Sequence, residues 1–197
     1  MIGGGMHAPS TLEPEPHIED HVILMHEDGT PRALAPRATV HTASTELHLA
    51  FSCHLVRADG TVLLTRRALS KRTWPGVWTN SFCGHPRQGE TMPEALARHA
   101  QHELGLEIHS VREVLPDFRY RAVDASGIVE NEICPVFIAE TDGEPRPHPE
   151  EVAELRWVEP EALHSLVELA PWALSPWSIR QLPALRGLLR PRGGGSS

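Results

Sequence analysis

Two acids, Glu130 and Glu132, stand two residues apart inside a run otherwise made for burial, flanked by Ile128, Val129, Ile133, Val136 and Phe137. Side chains of a strand alternate between faces, so both carboxylates leave the same face, while their neighbours make both faces apolar. Like charges crowded in a dry place do not both stay ionised without a cation between them. The alternatives are a bound metal, an arginine, or one raised pKa that makes a general acid or base. The plainer reading is a partly exposed strand whose acids meet water.

Other residues could join such a site. His41 and His48 frame residues 41–48, and His85 follows Cys83 by two. Neutral imidazole is the commonest protein ligand for first-row divalent ions. With 13 histidines in the chain, any one of them is weak evidence, and the spacing does not by itself join them. A lone cysteine is ordinarily a small buried hydrophobe. Around Cys83, however, Asn80, Ser81, Gly84 and His85 are small or polar, and a nearby imidazolium or metal would adjust the thiol for proton transfer or nucleophilic attack. Arg66, Arg67, Lys71 and Arg72 cluster just before residues 74–78. They read either as a phosphate site, since guanidinium forks bind phosphate oxygens in pairs, or as a solvated basic loop.

Composition narrows the classes. A length of 197 residues with 40% hydrophobic content suits one domain with a real core. The formal charge of -8 argues against a nucleic-acid binder, which needs a basic surface. Three cysteines, Cys53, Cys83 and Cys134, are too few and odd in number for a disulfide framework, which suggests a reducing compartment. Residues 1–18 lack a basic start followed by an apolar stretch, and no apolar run approaches the roughly 20 residues a bilayer requires. The expectation is a cytoplasmic protein that contacts neither membrane nor nucleic acid, a monomer with a homodimer as the alternative. A domain over 19–190 would lie between a disordered extension, 1–18, and a disordered tail, 191–197.

Apolar alternation and turn signals predict strands at 21–25, 47–57, 62–67 and 77–82, with turns at Asp28-Gly29 and Asp59-Gly60. Thr91 and Glu94 form a capping box, and Leu96, Ala100 and Leu104 make the apolar stripe of a helix that stops at Gly105. Strands follow at 107–114, 117–123, 127–138 and 155–158, with a Pro- and acid-rich loop at 140–150. A helix is expected at 160–169, and another starts at Ser175-Pro176 and is kinked or ended by Pro183.

Gly84, Glu90, Arg98, Glu103 and Gly105 fill a pattern that resembles the Nudix box. Nudix hydrolases carry a denser acidic set on that helix, and here His99 and His102 replace two of the acids. Six blocks go further: residues 41–52, 65–71, 74–86, 117–122, 127–137 and 171–177 resemble type 1 isopentenyl-diphosphate isomerase over about 21–180. The resemblance implies an α+β fold, a single-domain Nudix-like α/β/α sandwich with a mixed β-sheet. It implies that His41, His48, His85, Glu130 and Glu132 coordinate one divalent ion, Mn²⁺, Mg²⁺ or Zn²⁺. Cys83 and Glu132 would flank the isoprenyl unit of isopentenyl diphosphate, with Tyr120 beside the glutamate, for a 1,3-proton shift through a tertiary carbocation to dimethylallyl diphosphate. Trp177 would face the cation with its indole quadrupole. Arg37, Arg67 and Lys71 would hold the diphosphate, and Glu103 an Mg²⁺ shared with it. The competing readings are a Nudix-type diphosphohydrolase, a non-catalytic metal or isoprenyl-diphosphate binding module, and a scaffold for partners.

Overall fold

The computed structural model describes residues 20–192. The expected extension 1–18 and most of the expected tail lie outside the described residues.

Beta structure begins with an antiparallel hairpin of β1 (His21–Met25) and β2 (Pro31–Pro36), turned at Gly29, whose φ is 84°. No strand was expected at β2. Prolines at both ends hide it from pattern reading, but they are tolerated because β2 is the outer strand of its sheet. A single turn of helix, α1 (Arg37–Val40), leads into the loop carrying His41.

The expected strand at 47–57 is two strands, β3 (His48–Leu49) and β4 (Phe51–Val56). β5 (Val62–Arg67) returns antiparallel to β4 and pairs with it only at Val56 and Val62, beside the turn. The two strands then splay, and residues 78–84 enter between them: β6 (Trp78–Thr79) pairs with β5 and β7 (Phe82–Gly84) with β4. A single strand at 77–82 cannot serve both partners. At the crossover Ser81 Oγ bridges the gap, accepting from Leu55 N at 2.7 Å and donating to Leu63 O at 2.7 Å.

The capping box forms as expected at the start of α2 (Met92–Leu104), which ends on Gly105 in the left-handed region. Its buried residues are Ala95, Leu96, Ala100 and Leu104. Each buried leucine contributes roughly 1.5–3 kcal/mol. Next come β8 (His109–Leu115) and β9 (Arg119–Val123). The expected strand at 127–138 splits into β10 (Val129–Ile133) and β11 (Val136–Glu140). Pro135 has no N–H to donate and Cys134 N is taken by Phe118 O at 2.8 Å, so the ladder cannot run straight through. β12 (Val152–Val158) starts three residues before the expected 155, and α3 (Pro160–Leu169) and α4 (Pro176–Gln181) close the domain.

The strands form two mixed sheets, ordered β2-β1-β3-β10-β9 and β12-β5-β4-β11-β8. β3 runs parallel to β10, and β4 runs parallel to β11. Both chains therefore pass from the first sheet to the second side by side, joined at the corner by Ala50 N to Ile133 O at 2.9 Å. In the second sheet alternation builds two cores. Phe51, Cys53, Leu55, Leu63, Phe137 and Ala139 pack under α2, while Val56, Val62, Leu64, Val136 and Ile138 pack under α3 and the Leu182–Leu185 turn. This is the expected α/β/α sandwich, with the corner between the sheets as its most irregular point.

Candidate active site

That corner opens into a cavity of about 960 Å³. Three adjacent strands of the first sheet present Tyr120, Glu132 and His48 at one register: Glu132 opposes Tyr120 on β9 and His48 on β3. His41, just after α1, and His85, just after β7, reach the same point. The three imidazole centroids lie 5.1–5.7 Å apart. Glu132 Oε1 is 3.5 Å from His48 Nε2 and 3.4 Å from His85 Nε2, and Glu130 Oε2 is 3.0 Å from His41 Nε2.

These residues fit a divalent ion. His41 Nε2, His48 Nε2, His85 Nε2 and Glu130 Oε2 are all buried without a hydrogen-bond partner, although buried polar groups are normally paired. One ligand atom from each of His41, His48, His85 and Glu132 lies within 4.8 Å of the others. Donors about 2.1 Å from a common centre are roughly 3.0 Å apart in an octahedron and 3.4 Å in a tetrahedron, close to the shortest separations here, 3.0, 3.4 and 3.5 Å. His48 Nδ1 is engaged by Glu46 O at 2.9 Å, which commits Nε2 to the cluster. Burial pushes the His85 pKa down to about 4, keeping it in the neutral form that ligates. Burial acts to raise Glu132, but the imidazoles of His48 and His85 beside it outweigh that and hold the carboxyl well below the usual range. The groups that face the Glu132 carboxylate are the imidazoles of His48 and His85 rather than an arginine. Glu130 sits at the edge of the group, its Oε1 accepting from Thr73 Oγ1 at 2.9 Å.

Cys83 lies on β7, opposite Ser52 of β4, so the thiol belongs to the second sheet and Glu132 to the first. Both line the cavity. The thiol donates to Asn80 Oδ1 at 3.2 Å and touches Ser52 Oγ at 3.3 Å. Burial pushes its pKa up to about 12, so its surroundings hold it as a thiol rather than the activated thiolate a nucleophile would need. Between the two walls Tyr120 and Trp177 form an apolar floor, backed by buried Ala50 and Cys134 and with Trp74 packed against it. The Trp177 ring is 5.6 Å from that of Tyr120 and 5.4 Å from that of Trp74. Trp74 holds φ at 45°, a strained conformation for a bulky residue.

The cationic rim is less uniform than the sequence cluster. Arg67 lines the cavity, donating to Thr73 O and sitting 5.7 Å over the Trp177 ring. Lys71 lines it in an ion pair with Glu151, and Arg37 in one with Asp20 at 2.5 Å. Arg66 points elsewhere, bound to Glu154 at 2.6 Å and to Gly76 O at 2.9 Å, because alternation on β5 sends it to the opposite side from Arg67. The box residues have structural work: Arg98 pairs with Glu90 and donates to His85 O at 3.0 Å, fixing the backbone of a cluster residue. Glu103 faces the cavity with Oε1 hydrogen-bonded to His99 Nδ1 at 2.9 Å.

Of the sequence candidates, all but two line this cavity: His48 is fully buried behind it, and Arg66 is turned away. Reading the sequence missed Thr73, Ser52 and Glu151. Only Thr73 carried a signal, as a polar residue beside the basic run.

The NUDIX domain family matches residues 46–182 of the chain. The crystal structure of DR0079 from Deinococcus radiodurans superposes with a TM-score of 0.64, covering 83% of this chain and 98% of that one at 19% identity, so it speaks for the fold alone. Fold and matched range define a NUDIX protein with a His/Glu cluster in its cavity. Isopentenyl-diphosphate Delta-isomerase of Clavibacter michiganensis is 59% identical over 170 residues, 86% of this chain and 88% of the relative. Its namesake from Leifsonia xyli is 58% identical over 168 residues, 84% of this chain and 91% of the relative. The chain belongs to the isopentenyl-diphosphate Delta-isomerase family.

Proposed function

We propose that the protein interconverts isopentenyl diphosphate and dimethylallyl diphosphate, with Cys83 and Glu132 as the proton-transferring pair. The observation that carries the reading is their placement in different sheets on one cavity, over an apolar floor and beside a His/Glu cluster. A 1,3-proton shift needs an acid and a base that each reach the substrate. One group delivers a proton to the terminal methylene carbon, the alkene electrons forming the new C–H bond and leaving a tertiary cation. The other removes a proton from the methylene next to the diphosphate-bearing carbon, and that electron pair closes the new double bond. Tyr120, register partner of Glu132, supports the carboxylate side.

The Trp177 face supplies negative potential without a nucleophile that would trap the cation, and the floor excludes water. Arg37, Arg67 and Lys71 hold the diphosphate. His41, His48, His85, Glu130 and Glu132 would hold one divalent ion, Mn²⁺, Mg²⁺ or Zn²⁺, and Glu103 an Mg²⁺ shared with the diphosphate. Bound there, the ions supply positive charge that fixes the carboxylates and neutralises the substrate's tail. We assign the protein to the cytoplasm as a monomer. Three free cysteines suit a reducing compartment, and no helix among the described residues is long and apolar enough to cross a membrane.

The test is incubation with isopentenyl diphosphate and Mg²⁺ in deuterated water. Deuterium in dimethylallyl diphosphate without phosphate release supports the isomerase. Released phosphate with no allylic product overturns it in favour of a diphosphohydrolase.

A further inference from the structure

We propose that Asn80 is a positioning residue that sets both the Cys83 sulfur and the Trp177 indole through one carbonyl oxygen, a proposal that rests on the isomerase reading. Asn80 is fully buried at the crossover between β6 and β7. Its amide nitrogen donates to Phe82 O at 2.7 Å and Cys53 O at 3.0 Å, so the side-chain oxygen must face the other way. There Oδ1 accepts from three side chains: Thr79 Oγ1 at 2.8 Å, Trp177 Nε1 at 2.9 Å and Cys83 Sγ at 3.2 Å. The backbone is equally fixed, Asn80 N donating to Ser178 Oγ at 3.1 Å and Asn80 O accepting from Thr65 Oγ1 at 2.9 Å.

A buried asparagine that only satisfied the core would account for the two bonds from its nitrogen. It would not account for an oxygen shared by a thiol on β7 and an indole on α4 that line the same cavity. Proton transfer to or from a five-carbon unit requires the sulfur and the cation-facing ring to keep a constant separation, and a single shared acceptor provides it. Ser52 steadies the sulfur from its other side, its own oxygen held by Gln181 Nε2 at 2.9 Å.

Asn80→Leu and Asn80→Asp separate the two roles. The leucine fills the volume without polar atoms, whereas the aspartate keeps an acceptor for the thiol and indole and loses the donors to Cys53 and Phe82. Two readouts are taken: kcat and KM for isopentenyl diphosphate, and the ¹H–¹⁵N indole resonance of Trp177, assigned with Trp177→Phe. The expected result is a fall of about 100-fold in kcat for Asn80→Leu with KM within about threefold, and a displaced indole resonance. Asn80→Asp should retain at least about tenfold more kcat and a near-native resonance. Should the leucine not pack, Asn80→Ala carries the same comparison. Equal loss in both variants, or an unmoved resonance in the apolar one, overturns the proposal. A wild-type protein that makes no dimethylallyl diphosphate overturns the isomerase reading instead, and leaves the resonance, which needs no turnover, to decide on Asn80.

Discussion

His48 and Glu132 are register partners on the parallel strands β3 and β10, with Nε2 and Oε1 3.5 Å apart. The same carboxylate has Tyr120 as its register partner on β9. Glu132 therefore joins an imidazole cluster to the rim of an apolar floor, and one residue can serve an ion on one side and a substrate on the other.

The orphaned imidazole nitrogens predict that the purified protein carries about one divalent ion per chain. An ion present at about 100 times its Kd contributes about 3 kcal/mol, so stripping it with a chelator should lower Tm by roughly 5–10 °C, and adding it back should restore the value. Elemental analysis and a thermal melt check this. A metal-free protein whose melting is indifferent to chelator would leave the cluster without an ion.

Glu132→Gln should lose both metal affinity and rate, because the carboxylate is placed for both. Rate and metal content measured across a metal titration decide it. If added metal restored the full rate, the proton on that side would be moved by another group.

Cys83→Ala should abolish turnover while unfolding within about 1 kcal/mol of the native protein, since truncating a small side chain beside an open cavity costs little. Label exchange and urea unfolding on the same sample separate the two. Persistent exchange would remove the thiol from the reaction.

Much of this is legible in the sequence because it depends on local rules. The Thr91 and Glu94 box, the Gly105 stop and the stripe at Leu96, Ala100 and Leu104 are properties of a few adjacent residues, and the helix follows from them. Apolar segments bounded by turns mark β1 and β5 to the residue, and the expected helix at 160–169 matches α3, but such patterning says nothing about which strand lies alongside. It could not reveal that 47–57 and 127–138 both break at a shared corner, since that break follows from Pro135 and from pairing between the two segments. Asn80, Ser52 and Thr73 acquire meaning from partners 31, 57, 82 or 97 positions away. The ligand set came from family resemblance, because no spacing joins His41 to Glu130.

Gly84 is required by close approach rather than by backbone freedom. A Cβ there would fall 2.3 Å from His99 Nε2, and that ring is held by Glu103 and by its edge-on contact with Phe51 at 5.3 Å. Gly84→Ala should therefore cost about 1–3 kcal/mol, as overpacking does, and displace His85 next to it. Adding His99→Ala should recover most of that loss, a coupling that a double-mutant cycle in urea measures. Additive losses would mean that the clash is relieved some other way.

His54 gives the stability a pH dependence of its own. Burial pushes its pKa down to about 4, and its contacts explain why the neutral form is kept: Nε2 lies 3.2 Å from Gln181 Oε1, while buried Nδ1 has no acceptor for a second proton. A folded-state pKa below the unfolded value near 6.5 means that the unfolded chain binds the proton first. The contribution is therefore present in full above about pH 6.5 and is lost as the pH falls toward 4, by about 3 kcal/mol across that window. His54→Gln has no proton to take up and should unfold with a shallower dependence between pH 6.5 and 4.5, above the range where carboxylates dominate. Urea unfolding of both proteins at half-unit steps measures the difference. Parallel curves would mean that His54 takes up its proton without unfolding the domain.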